Sequence, residues 1–286
     1  MKLSIVIPSY KEKHLQRTID ELLEKSELPD EIVTENGKEV KKPSIEIIVV
    51  LDGYWPEVPL KNDKRVKILH YSDKRGLRNA INMGVSVSKG EYIAKTDAHC
   101  SFSQGYDRIL LENIKDNEVH IPLRYFLDTE KWELMDKAPC SIDKLVYLEA
   151  HKKLHGEQWK NRERKFKDDD LVETMCFQGS FWCMSRKHFD TVLGELQEDG
   201  YGTFTQEPLE IALKTWLSGG RVVTNKKCWY AHQHRIFGRT HQVNQEEVDN
   251  GNAYALDFWL GNKWEKRIHD IQWLFDRFGY TVEYSL

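Results

Sequence analysis

The tetrapeptide Thr96-Asp97-Ala98-His99 sets a carboxylate and an imidazole two residues apart, directly after the apolar run Tyr92-Ile93-Ala94 and Lys95. On an extended chain alternate side chains share a face, so Asp97 and His99 point one way while Ala98 points back. Such a pair can hold a divalent ion, and it can equally be an ordinary polar strand end. Two more acids carry chemistry. Asp52 begins an Asp-Gly pair behind IEIIVVL, a turn-forming dipeptide whose carboxylate can also face a ligand. Glu207 opens Glu207-Pro208-Leu209-Glu210, where proline suits a first helical turn and the acid suits the helix's positive end. His232 and His234 alternate in CWYAHQH, on one face if that stretch is extended.

The surrounding pattern must position these groups. LSIVIP (3–8) reads as a buried strand, followed by a helix from about 13 to 25 with Leu15, Ile19, Leu22 and Leu23 on one face. Strands are expected at 45–53, 66–71 and 91–96, with a helix over 75–90 closed by Gly90. Apolar strands alternating with helices predict a mainly parallel sheet covered on both faces. Ligands collect at the carboxyl ends of such strands. Asp52 and Asp97 both stand at those ends, which favours a functional reading over a plain strand terminus. The rhythm is lost from about 125 to 170. It returns over 175–186, a helix at 207–220, and the runs RVVTN and CWYAHQH; the tail, 254–279, carries Leu256, Trp259, Leu260 and Trp264 at helical spacing.

Composition narrows the field. A net charge of −4 gives no global attraction to nucleic acid or anionic membrane. No apolar run approaches the roughly eighteen residues of a membrane span, and the apolar part of MKLSIVIPSYKEKH is too short for a signal peptide. The five cysteines form no C-x-x-C pair and are expected as free thiols in a reducing cytoplasm.

Motifs in the family's order carry a resemblance: SIVIPSYKE, VVLDG, EYIAKTDAH and QEPLEIALKTWLSGG. Together they resemble the GT-A glycosyltransferases, most closely the family-two enzymes and the polypeptide N-acetylgalactosaminyltransferases, over about 1–125 and 175–235. The resemblance implies an α/β, Rossmann-like GT-A domain over 1–235 with a mixed, mainly parallel sheet. A charged acceptor-side insertion at about 125–170 and a C-terminal helical extension at 236–286 fall outside it. Pro8, Tyr10, Glu12, Asp52, Arg75, Gly76, Asn79 and Asp97 then fall where the family holds its nucleotide. Asp97 and His99 match the Asp-x-His variant of the metal motif, with His232 or His234 as third ligand. An imidazole in that set favours Mn²⁺, with Mg²⁺ as the alternative. Gln178, Gly179, Ser180, Trp182 and Glu207 fall at the donor sugar and acceptor.

In inverting family-two enzymes the second member of an acidic pair is the general base. Pro208 stands in that place, so the Glu-x-Leu-Glu motif implies retention, with Glu207 and Asp97 as the catalytic carboxylates. The expected activity is metal-dependent transfer of a sugar from a UDP-sugar to a hydroxyl acceptor; the sugar itself, hexosyl, pentosyl or N-acetylhexosaminyl, is not resolved. Acceptors considered are a glycan, a protein, a small molecule or a hydroxymethylated pyrimidine in DNA. The DNA option comes from the basic, aromatic run HKKLHGEQWKNRERKFK, with Lys160, Arg162 and Arg164 as nucleic-acid contacts. A non-catalytic nucleotide- or glycan-binding module is the remaining alternative. A sugar-phosphate nucleotidyltransferase is excluded because no Gly-rich loop follows the first strand.

Overall fold

Leu3–Ser9 (β1) and Ile45–Asp52 (β4) are apolar at nearly every position and buried along almost their whole length. A strand with no polar face needs cover on both sides, the condition of a parallel sheet with helices above and below. In the computed structural model, which describes residues 1–35, 37–148, 152–234 and 244–280, β1 runs parallel to β4 and to Tyr92–Thr96 (β6). Val66–Tyr71 (β5) runs parallel to β4 and forms the edge. Leu15–Glu24 (α1) and Leu77–Val87 (α2) supply helical cover, burying Leu15, Ile19 and Leu22 of α1 and Ala80, Ile81 and Val85 of α2. A small hairpin, Glu31–Glu35 (β2) with Lys38–Lys42 (β3), stands apart from the main sheet.

The second half reverses direction. Phe181–Ser185 (β13) lies antiparallel between β6 and Glu118–Asp128 (β8). Arg221–His232 (β14) runs parallel to β8, and Leu171–Glu173 (β12) closes that edge. Cys100–Phe102 (β7) pairs with the end of β14, and Glu133–Leu134 (β9) with the end of β8. Tyr106–Asn113 (α3) follows β7, and Arg186–His188 (α5) runs on into a π-turn at Phe189–Leu193. Glu207–Leu217 (α6) follows, buried along nearly its whole length.

Three expectations change. The irregular middle contains an antiparallel hairpin, Asp143–Leu148 (β10) with Lys153–Gln158 (β11), followed by the helix Lys160–Lys165 (α4). RVVTN and CWYAH are one strand, β14, which ends at His232 and is interrupted by an irregularity between Asn225 and Trp229. The tail is two helices, Gln245–Leu260 (α7) and Ile271–Phe278 (α8), because Gly261 ends the first, Asn262 turns at a left-handed φ of 51°, and Asp270 caps the second. Ala255, Trp259, Leu274 and Phe275 join the same core as the strands. Residues 235–243 and 281–286 of the expected extension lie outside the described residues. All five cysteines are free and buried. Among the described residues no helix is long and apolar enough to cross a membrane.

Candidate active site

Register alone gathers the polar groups. Ser9 of β1 pairs with Leu51 of β4, so the loop after β1 and Asp52 emerge side by side. Because β13 is antiparallel to β6, it begins where β6 ends: Phe181 pairs with Thr96, and Asp97 donates its amide to the Ser180 carbonyl at 2.9 Å. β7 pairs Cys100 with His232, bringing His99 beside the end of β14. The resulting cleft holds about 1000 Å³ and runs along the carboxyl ends of β1, β4 and β6 to the β10–β11 hairpin.

At its centre the ligand atoms of Asp97, His99 and His232 lie within 4.8 Å of one another. His232 Nε2 is 3.2 Å from Asp97 Oδ2 and 3.0 Å from His99 Nε2. His234 does not join them; its Nε2 lies 3.0 Å from the Arg124 guanidinium. The donor set suits a divalent transition ion, and the two imidazole nitrogens face each other as two ligands of one ion would. Burial alone would push the Asp97 carboxyl up, but Lys95 and His232 beside it hold it well below the usual carboxylate range. Burial lowers His232 to about 4, against the pull of Asp97, so its ring stays neutral and able to ligate.

Lys95 was not singled out in the sequence, although it stands two residues before Asp97 and shares its face. Its Nζ donates to Asp97 Oδ1 at 2.5 Å and to the Gly179 carbonyl at 2.6 Å. Asp97 therefore gives one oxygen to Lys95 and turns the other toward the histidines. Glu12, expected at the nucleotide, lies with Oε2 3.1 Å from His99 Nδ1. A carboxylate in that position fixes the orientation of a ligating imidazole.

Pro8, Tyr10, Asp52 and Gly76, expected at the nucleotide, line the cleft. Asp52 accepts backbone N–H bonds from Arg75 (2.6 Å) and Gly76 (2.8 Å), which folds the loop before α2 against the end of β4. Gly76 takes φ 95°, and a Cβ there would collide with Thr203. The Arg75 side chain is exposed and stacks its guanidinium over Tyr71 at 4.6 Å, and Asn79 donates to Glu198. Neither side chain lines the cleft.

Gln178, Gly179 and Glu207, expected at the donor sugar and acceptor, also line the cleft. Glu207 is buried, its Oε1 accepting the Trp182 indole N–H at 2.6 Å; burial raises its carboxyl against the pull of Lys95. A side chain on Gly179 would strike Glu207 Oε2, so glycine lets the acid reach the cleft. Trp182 is fully buried and holds Glu207, so it is not a sugar platform. Ser180 is likewise buried, against Gln178 and Tyr230.

The three basic residues expected to contact nucleic acid do not line the cleft. The Arg162 guanidinium is packed against Trp159 (5.3 Å), Phe166 (4.8 Å) and Phe278 (4.8 Å) and pins α4 to α8. Lys160 is exposed, and Arg164 is exposed and bonded to Asn161.

The sequence profile described as "Glycosyl transferase family 2" matches residues 4–193, more than half of the chain. Polypeptide N-acetylgalactosaminyltransferase 12 of Mus musculus is 23% identical, over 99% of this chain and 48% of its own length. Glycosyltransferase GlyG of Streptococcus pneumoniae is 27% identical, over 42% of this chain and 37% of its own length. The chain thus spans about half the length, or less, of these curated relatives. Among solved structures, GalNAc-T7 with UDP, GalNAc and Mn²⁺ superposes with a TM-score of 0.69 at 17% identity, over 92% of this chain and 49% of that one. S. aureus TarS 1–349 in complex with UDP-GlcNAc gives 0.54 at 14% identity, over 90% and 64%. At these identities the likeness is one of fold, and the fold is the GT-A arrangement expected.

Proposed function

The chain belongs to glycosyl transferase family 2, and from that premise we propose that it moves a sugar from a UDP-sugar to a hydroxyl acceptor in a metal-dependent reaction. The observation that carries this reading is the convergence of Asp97, His99 and His232 at the carboxyl edge of the sheet. The relatives' names and the UDP and Mn²⁺ in the GalNAc-T7 structure support the donor and metal assignments. Asp97, His99 and His232 would hold a divalent cation, which would supply charge neutralisation on the departing diphosphate.

The chain's own residues do the rest. Lys95 and Glu12 orient two of the three ligands from behind. Asp52 shapes the loop at the nucleotide end through two backbone amides. Glu207, fixed by Trp182 and uncovered by Gly179, positions the sugar or the acceptor. The bond from the sugar's anomeric carbon to the diphosphate breaks, and a bond from the acceptor oxygen forms on the same face. The acceptor's proton passes to the diphosphate, which leaves as UDP. Retention follows because Pro208, not a second acid, stands next to Glu207.

The test is a panel of UDP-sugars with Mn²⁺, scored by UDP release with and without acceptors, followed by proton NMR of the product's anomeric centre. UDP release that stops in excess chelator, and a product with the donor's configuration, are expected. Metal-independent release contradicts the first part, and an inverted product the second.

A further inference from the structure

Beyond the metal cluster, the cleft contains a carboxylate that the scheme above leaves idle. Asp143 opens β10 and lines the cleft, with its side chain 14% exposed. Its backbone is already anchored: the amide donates to Thr174 Oγ1 at 2.8 Å, and the carbonyl accepts from the Met175 amide at 3.1 Å. The carboxylate itself carries no hydrogen bond among the described residues. Among the described residues its one ion-pair partner is Arg124 Nη2, at 3.8 Å, beyond hydrogen-bond range. Burial raises the Asp143 carboxyl against the pull of Arg124. A nearly buried carboxylate without donors costs stability unless something from the cleft supplies them.

The neighbours define what that something is. Arg124 spends Nη1 on His234, whose ring stands 5.0 Å from that of His232, so Asp143 and Arg124 continue the polar line that starts at the proposed metal site. Gln158 of β11 also lines the cleft, and its amide nitrogen donates to Glu163 at 2.7 Å, leaving its carbonyl oxygen to accept. The subsite therefore pairs two acceptors with a guanidinium fork. We propose that Asp143, Arg124 and Gln158 form the acceptor subsite and bind a neutral carbohydrate acceptor through two adjacent hydroxyls, a reading that rests on the sugar transfer proposed above. Each hydroxyl can donate to a carboxylate or amide oxygen and accept from the guanidinium. A cationic acceptor would be opposed by the Arg124 guanidinium. A nucleic acid would need a track of cations leading in, whereas Arg162 is packed among aromatic rings and Lys160 and Arg164 lie away from the cleft.

The experiment gives the wild type and Asp143→Asn, with Mn²⁺ and a hydrolysed UDP-sugar, a panel of methyl hexopyranosides and their singly deoxygenated forms. UDP release without acceptor reports the donor end separately. Asp143→Asn should raise the KM for the best glycoside at least tenfold while leaving acceptor-free UDP release within twofold. Removing the recognised hydroxyl should penalise the wild type and make little further difference to the variant. Its unfolding midpoint should stay within about 3 °C of wild type, since the amide fits the same space. Gln158→Leu, an independent variant, should raise the same KM at least threefold. Unchanged KM and unchanged discrimination in both variants overturn the assignment. So does an enzyme that releases UDP but accepts no glycoside, or that glycosylates only hydroxymethylpyrimidine DNA. If no UDP-sugar is hydrolysed by the wild type, the donor reading itself has failed and this inference falls with it.

Discussion

The two ends of the cleft, proposed above as its donor and acceptor ends, are built differently. At the donor end every carboxylate singled out already has partners from the chain: Asp52 two backbone amides, Asp97 the Lys95 ammonium, Glu207 the Trp182 indole, Glu12 the His99 ring. At the acceptor end the Asp143 carboxylate has, among the described residues, only a distant guanidinium. A site whose groups are held before the ligand arrives loses little on binding and gains in precision. A group left without donors is completed by its ligand. The donor end is preorganised, and the acceptor end selects.

The sharpest way to break this contrast is at the proposed metal ligands. Asp97→Ala should lower kcat/KM for transfer by at least about 10³-fold while circular dichroism stays native, because the cluster and the Lys95 contact are lost together. A tenfold loss or less would mean that the donor end does not depend on these ligands. Next in size is an acid effect that must be separated from cleft chemistry. His188, buried against Thr215 Oγ1 at 2.9 Å, has its pKa lowered by burial to about 4. The unfolded histidine binds its proton near pH 6.5, so stability is full above that pH. As pH falls toward 4 the unfolded state gains a proton that the folded state refuses, and up to about 3 kcal/mol is lost. Denaturant titrations from pH 7 to 4 should show this slope, and His188→Gln should flatten it. Smaller again is the orienting contact of Glu12. Glu12→Gln should weaken Mn²⁺ binding about 10- to 100-fold with little change in fold. Equal Mn²⁺ affinity would place Glu12 outside the preorganised set.

The same contrast explains what could be read from the sequence. The first half of the sheet was legible because β1 and β4 are buried on both faces and therefore mostly apolar. The spacing of Asp97 and His99 announced a shared face, and the two do converge with His232. Lys95 obeys the same two-residue period and was available to the same reasoning. His232 and His234 could not be separated that way, since alternation puts both on one face; the pairing of β7 with β14 separates them. The β10–β11 hairpin was illegible because its strands are half-exposed and charged, with few fully buried positions such as Leu145 and Leu154. Asp143 gave no signal at all within that charged stretch. Trp182 and Arg162 misled for one reason: composition suggests what a side chain can touch, and packing decides what it does touch.

The most direct test of the account is calorimetric titration of UDP into the protein with Mn²⁺ present, repeated with excess chelator and with His232→Ala and His234→Ala. UDP should bind with Mn²⁺ and at least tenfold more weakly with chelator or in His232→Ala, while His234→Ala keeps affinity within about threefold of wild type. UDP affinity indifferent to Mn²⁺, or lost in His234→Ala and kept in His232→Ala, would contradict the proposed metal-centred donor site.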